Sequence, residues 1–215
     1  MNEFDFLKHE CTKADFDLND TGLRLVYRYG EELLKWSKKM NLVTRGDLHV
    51  MLRDHVLDSL CLYPFMQGKS ESLLDVGTGA GLPGLVLGAV CPELSVTLVE
   101  PRAKRVSFLR HIVRSLELGN ITIIPTRLEM GMDMGRFNSA TSRAFAELSL
   151  FLPLVEAYLE PNGVVYCMKG PKGEEEFHKF QKENPESALH LQQTSKAAYP
   201  FGDHGRCLML FKKER

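Results

Sequence analysis

The sequence predicts an open α/β fold, a seven-stranded sheet flanked by helices and preceded by a helical extension. Three observations predict it. The apolar run Leu73-Leu74-Asp75-Val76 ends in glycines at 77, 79 and 81, as a buried parallel strand does when it leaves its sheet through a tight turn. Beyond about residue 70 short apolar runs alternate with stretches of helical period. Before it, only the helical period is present. Residues 1–69 are therefore expected to form the extension and residues 70–215 the sheet domain.

A chain of 215 residues, 44% of them apolar, can bury the core of one such domain with a modest appendage. The formal net charge of −1 supplies no global field toward polyanions, so any nucleic-acid site must come from local clusters of Lys and Arg. The five cysteines are scattered and form no C-x-x-C, which argues against a metal cluster and for reduced thiols. No apolar run approaches the ~20 residues that cross a bilayer, and Met1 to Phe16 is acidic and mixed where a leader would be basic and then apolar. A cytoplasmic protein with no membrane partner and no metal is expected.

In chain order, residues 1–16 carry one weak apolar cluster, Phe4, Phe6 and Leu7, which fits a short helix or a frayed arm. Asn19-Asp20-Thr21 supplies capping residues for an amphipathic helix of about six turns, with Leu23, Val26, Tyr27, Gly30, Leu33, Leu34 and Ser37 on one stripe. Its tail exposes Lys35, Lys38, Lys39 and then Arg45, either a solvated face or one side of an RNA cradle. Asp47 caps a second helix that Pro64 stops, with Leu48, Met51, Leu52, His55, Val56, Ser59 and Leu60 sharing a face. His55 thus lies on an apolar stripe, as a core histidine or as a site residue.

The first strand then runs into Gly77-Thr78-Gly79-Ala80-Gly81-Leu82-Pro83-Gly84, with Pro83 placed to open the next helix. Glycines at 77, 79 and 81 let backbone amides approach a ligand with no side chain between. Gly79-x-Gly81-x-x-Gly84 satisfies the G-x-G-x-x-G pattern, and Glu100 follows Gly81 by 100 − 81 = 19 residues at the end of the next apolar run, where a ribose-binding acid belongs. Strand, glycine loop, helix, strand and acid in that order point to a nucleotide-type cofactor. The alternative is a structural glycine turn.

Asp75 stands two residues before the first glycine, and D-x-G-x-G-x-G resembles motif I of class I S-adenosylmethionine methyltransferases. The longer string D-V-G-T-G-A-G-L-P-G resembles the GidB/RsmG family of small-subunit ribosomal RNA methyltransferases. That resemblance implies a Rossmann-like class I sheet of order 3-2-1-4-5-7-6 with an antiparallel final hairpin, and S-adenosyl-L-methionine as cofactor. It implies methylation of N7 of a guanosine in 16S rRNA of the small ribosomal subunit, by an enzyme expected to be a monomer. A methyltransferase for another substrate, an NAD-dependent oxidoreductase and a non-catalytic RNA partner are the rivals. No Tyr-x-x-x-Lys hydride-transfer pattern appears.

Further segments carry the resemblance. Trp36 to Thr44 is similar to the family's W-N-x-x-x-N-L-T, with Ser37 in place of Asn and Val43 intervening before Thr44. Asp54-His55-Val56-Leu57-Asp58-Ser59 is similar to R-H-x-x-D-S, with Asp54 replacing the basic residue. Strands are read at about 73–76, 95–99, 121–124, 137–142, 163–168, 189–197 and 206–212, with helices between the first six. Pro101 to Arg114 carries Arg102, Lys104 and Arg105 and is similar to the family's K-R-x-x-F-L-R helix. Thr126-Arg127-Leu128-Glu129 is similar to S-R-x-E, which implies that Leu128 and Glu129 flank the adenine. Ser142-Arg143-Ala144-Phe145-Ala146 matches S-R-A-F-A, and Met168-Lys169-Gly170 resembles L-K-G.

The resemblance thus implies cofactor contacts at Asp75, Gly77, Gly79, Gly81, Leu82, Glu100, Leu128, Glu129 and Arg143. It implies catalytic positions at Arg143, Lys169 and His55, and RNA contacts at Lys38, Lys39, Arg45, Arg102, Lys104 and Arg105. Arg143 suits bidentate pairing with a carboxylate or a phosphate.

Overall fold

A computed structural model describes residues 1–44, 46–68, 72–143, 146–195 and 206–214. The helices before the sheet are α1 (Glu3–Lys13), α2 (Asp20–Ser37), α3 (Leu48–Met51), a π-helical stretch (Leu52–Leu57), α4 (Asp58–Leu60) and α5 (Tyr63–Met66). The sheet domain comes after them as β1 (Ser72–Val76), α6 (Gly84–Val90), β2 (Ser95–Val99), α7 (Ala103–Ser115), β3 (Ile121–Ile124), β4 (Phe137–Arg143), α8 (Leu148–Glu156), β5 (Leu159–Lys169), α9 (Gly173–Glu183), β6 (Leu189–Ser195) and β7 (Cys207–Lys213).

The N-terminal residues form a docked helix. Asn2 caps α1, and Leu7 and Cys11 are fully buried. Asn19 caps α2 by accepting from the Gly22 amide at 2.8 Å, and the helix runs 18 residues, five turns where the pattern predicts about six.

The sheet order is β3-β2-β1-β4-β5-β7-β6, parallel except for the last two strands, which pair antiparallel. The order reverses between β1 and β4, so the carboxyl ends of these neighbours flank the crevice where open sheets bind ligands. Alternation along β1 divides the core. Leu73 faces the side packed by α2, α6 and α7, and Leu74 and Val76 face the side packed by α8. Asp75, on the Leu73 side, is thereby directed at the start of α6.

Leu7, Leu23, Val26, Leu33, Met51 and Leu52 share one apolar cluster with Leu73, Val96, Leu98 and Phe108. The helices before β1 therefore form a layer on the sheet; the junction near residue 70 falls outside the described residues.

The expected helix between the third and fourth strands does not form; residues 125–136 are irregular. Gly131 and Gly135 there take φ of +81° and +73°, which interrupt a helix. The Tyr158 hydroxyl pins the same segment, donating to the Glu129 carbonyl and accepting from the Met132 amide. Pro83 lies one residue earlier than expected, at the cap of α6 rather than inside its first turn.

Candidate active site and nucleic-acid interface

The loop between β1 and α6 is held by two accepting carboxylates and one donating hydroxyl. Asp75 is fully buried; its Oδ2 accepts from the Thr78 hydroxyl at 2.6 Å and the Gly84 amide at 2.9 Å. Burial pushes its carboxyl up to about 7, against the pull of those two hydrogen bonds, and Oδ1 has no partner among the described residues. Glu100, 2% exposed at the tip of β2, accepts from the Gly79 amide at 3.1 Å and the Arg102 amide at 2.9 Å, with Arg105 at 3.5 Å. From α2, the Tyr29 hydroxyl donates to the Ala80 carbonyl at 2.8 Å.

The glycines divide into two kinds. Gly77, Gly79 and Gly81 take φ of +67°, +62° and +91°, a region glycine occupies without strain. A Cβ on Gly81 would lie 2.2 Å from Leu85 Cδ1, and one on Gly84 would lie 2.7 Å from Asp75 Oδ2, so these two glycines serve packing. A Cβ on Gly79 would meet nothing nearer than Arg105 at 3.4 Å. Gly79 therefore presents backbone to an open side of the loop, bordered by a buried carboxylate and a guanidinium, which suits a polar ligand with vicinal hydroxyls. Leu82 is buried in the core, and its amide bonds the Thr78 carbonyl at 3.1 Å. Leu128 packs into the other core, and the Glu129 side chain stands in solvent beyond β3.

At the end of β4, Arg143 turns toward the helical layer. Its Nη1 donates to Asp58 Oδ2 at 2.7 Å, and its Nη2 lies 3.1 Å from His55 Nδ1. Arg206, at the start of β7, donates to the other oxygen of Asp58. Asp58 is 6% exposed, so one buried carboxylate joins two arginines from separate strands. Burial first, and Arg143 second, pull the His55 pKa down to about 4. The neutral ring then accepts at Nδ1 and carries its proton on Nε2, which is buried and has no partner among the described residues. A π turn widens the helix and rotates the residues beyond it, which brings Asp58 into the interior although the α-helical stripe left it off the buried face. Arg53 and Asp54 pair with each other at 2.6 Å.

Lys169, at the end of β5, donates to the Ala146 carbonyl at 2.6 Å and pairs with Glu176 at 2.7 Å, while Glu176 also accepts from the Leu148 amide. Lys169, a catalytic position by the resemblance, is here a tie between β5, α9 and the start of α8.

The structure brings part of the expected basic set together. Lys39, Met40, Asn41 and Leu42 face Arg102, Ala103, Lys104 and Arg105 across a cavity of 450 Å³. Lys38 turns away, lining a separate 210 Å³ hollow with Leu34, Ser37, Gly46 and Met51. Arg45 lies outside the described residues. Sequence reasoning missed Tyr29 and Arg206. A lone tyrosine off the chosen stripe and an arginine 148 residues from its acid carry no local signal.

The family model GidB, described as rRNA small subunit methyltransferase G, matches residues 23–201. The chain belongs to this family. A GidB relative from Desulfotalea psychrophila, the ribosomal RNA small subunit methyltransferase G, is 37% identical over 97% of this chain and 99% of its own. The protein of the same name from Escherichia fergusonii is 36% identical over 94% of each chain. The solved ribosomal protein L11 methylase of Lactobacillus delbrueckii subsp. bulgaricus shares the fold, with a TM-score of 0.59 at 16% identity over 79% of this chain and 81% of that one. As a GidB member the chain is an S-adenosyl-L-methionine-dependent methyltransferase. The described residues hold no group of three potential metal ligands and no helix long and apolar enough to cross a membrane.

Proposed function

We propose that this chain methylates N7 of a guanosine in 16S rRNA of the small ribosomal subunit, as a monomer in the bacterial cytoplasm. The observation that carries the reading is the juxtaposition at the β1/β4 switch point. The glycine loop and Glu100 lie on one side, the Arg143 cluster on the other, and a basic cavity opens beside α7.

S-adenosyl-L-methionine supplies the electrophilic methyl group. Toward it, Asp75 fixes the loop, Gly77 and Gly79 offer backbone, Gly81 lets the loop close against Leu85, and Glu100 is placed to accept from the ribose hydroxyls. Leu82 backs the loop, while Leu128 and Glu129 border the adenine. Lys39, Arg102 and Lys104 take RNA phosphates in the cavity, with Arg105 shared with Glu100 and Lys38 meeting RNA from outside it. Arg143, shaped by Asp58 and His55, forms the wall at which the target base enters, and Lys169 holds the loop that leads into α8.

Guanine N7 attacks through an in-plane lone pair and carries no proton, so the reaction requires no general base. His55, neutral across the physiological range, is a positional group. The chain would contribute orientation of the target base toward the methyl group and a seat for an unstacked base. The test is nucleoside analysis of 16S rRNA from cells with and without the gene, with small subunits from the deleted strain remethylated by purified protein. N7-methylguanosine is expected to be lost and then restored; a different restored nucleoside refutes the proposal.

A further inference from the structure

Two peptide groups of the glycine loop are pinned from three places, Thr78–Gly79 at its amide and Ala80–Gly81 at both its amide and its carbonyl. Glu100 of the β2 tip holds the Gly79 amide, the Thr78 carbonyl holds the Gly81 amide at 2.9 Å, and Tyr29 of α2 holds the Ala80 carbonyl. The first two anchors belong to the nucleotide-binding half itself. The third reaches in from the helical layer, across 51 residues of chain.

We propose that Tyr29 is a positioning residue for S-adenosyl-L-methionine, its hydroxyl fixing the Ala80 carbonyl and with it the Ala80–Gly81 peptide plane, which follows directly on the backbone that Gly79 presents to the ligand. The inference rests on the assignment of this loop as the cofactor site. Ala80 stands between two glycines in left-handed conformations, the residues about which a peptide plane turns at least steric cost. Without Tyr29 the Ala80–Gly81 plane keeps only the Gly81 amide bond to the Thr78 carbonyl, and each alternative orientation that this single anchor permits lowers the fraction of protein competent to bind.

Tyr29 is built for this one bond. It is 1% exposed, and its ring packs against Phe108 of α7, which in turn packs against Trp36, so the hydroxyl is aimed from a fixed seat. Burial pushes its pKa up, so the hydroxyl keeps its proton and remains a donor at every working pH. Ring packing alone would be served equally by phenylalanine. What tyrosine adds is the donor, and Ala80 is the group that receives it.

The experiment is Tyr29→Phe, which keeps the ring and removes the donor. Calorimetry with S-adenosyl-L-methionine and with its demethylated product should show Kd raised about tenfold, equivalent to about 1.4 kcal/mol. With rRNA substrate, KM for S-adenosyl-L-methionine should rise in parallel, while kcat at saturating cofactor stays within twofold. Leu33→Ala, one turn along α2 and away from the loop, is the fold control: it should lower Tm and leave Kd within twofold. A Tyr29→Phe protein with unchanged Kd overturns the proposal. An equal Kd increase in Leu33→Ala, or failure of Tyr29→Phe to fold, assigns the hydroxyl to the fold as a whole and also overturns it. Gly79→Val separates the two levels. If that variant binds S-adenosyl-L-methionine normally the loop assignment fails, and if it loses binding while Tyr29→Phe does not, only the role of Tyr29 fails.

Discussion

Replacing Gly79 by valine should abolish cofactor binding while leaving the protein folded. At φ +62° a residue with a Cβ costs about 1–2 kcal/mol, and the new Cβ has Arg105 as its nearest neighbour at 3.4 Å, so no core atom must move. For a domain of this size each kcal/mol lowers Tm by about 2–4 °C, giving a fall of about 2–8 °C. The two valine methyls then occupy the open side of the loop beside Glu100 and Arg105. A loss of at least about 100-fold in S-adenosyl-L-methionine affinity, about 2.7 kcal/mol, is expected by calorimetry. Gly88→Ala in α6 is the matched control. Its Cβ would sit 2.3 Å from Ile121 Cδ1, an overpacking of about 1–3 kcal/mol partly offset by about 1 kcal/mol of helix propensity, with the loop untouched. Thermal unfolding and calorimetry on both variants decide the matter. Folded Gly79→Val with a Kd within threefold of the parent would refute the reasoning that Gly79 faces the ligand.

Four further outcomes are expected. Single-turnover methylation should be flat between about pH 6 and 8, because an unperturbed histidine would titrate near 6.5 while burial holds His55 at about 4; a histidine-like limb that vanishes in His55→Gln would make it a base and undo the N7 assignment. The same depressed pKa makes stability fully present above about pH 6.5 and lost as pH falls toward about 4, so urea unfolding should show a shallower acid decline in His55→Gln; Asp75, with its raised pKa, works in the opposite direction in both proteins and cancels from the comparison. Asp58→Ala strands two guanidinium groups and should cost about 3–5 kcal/mol in denaturant unfolding, and a loss under about 1 kcal/mol would show the cluster to be ornamental. Affinity for a single-stranded rRNA segment should fall with salt at a log–log slope of about −0.7 per phosphate contact, and Lys39→Glu with Lys104→Glu should flatten it without moving the Kd for cofactor. An unchanged slope would put the RNA site elsewhere; Arg105 is left intact because it pairs with Glu100.

What the sequence determined by itself is local grammar. An apolar run, an acid and glycines at 77, 79 and 81 specify a strand end, a turn that only glycine enters freely, and a helix start, because each rests on φ/ψ limits and burial within a dozen residues. For the same reason β2 and β3 are legible to the residue at 95–99 and 121–124. Charge spacing marks Arg102, Lys104 and Arg105, and the tail of α2 marks Lys39, although neither stretch reveals that they share a cavity.

Partnership was decided by the tertiary structure. Whether Arg143 and Lys169 stand free or paired depends on where Asp58 and Glu176 arrive, and that is set by helix rotation and layer packing. The π turn at 52–57 leaves the apolar pattern nearly intact yet rotates Asp58 inward to meet arginines from β4 and β7. The missing helix between β3 and β4 is part local and part tertiary, since Gly131 and Gly135 interrupt it and the Tyr158 hydroxyl beyond α8 pins the irregular segment. Tyr29 meets Ala80 because the helical layer and the sheet bury one common core. A short-range pattern records which groups a residue can satisfy, and the folded geometry chooses the partner.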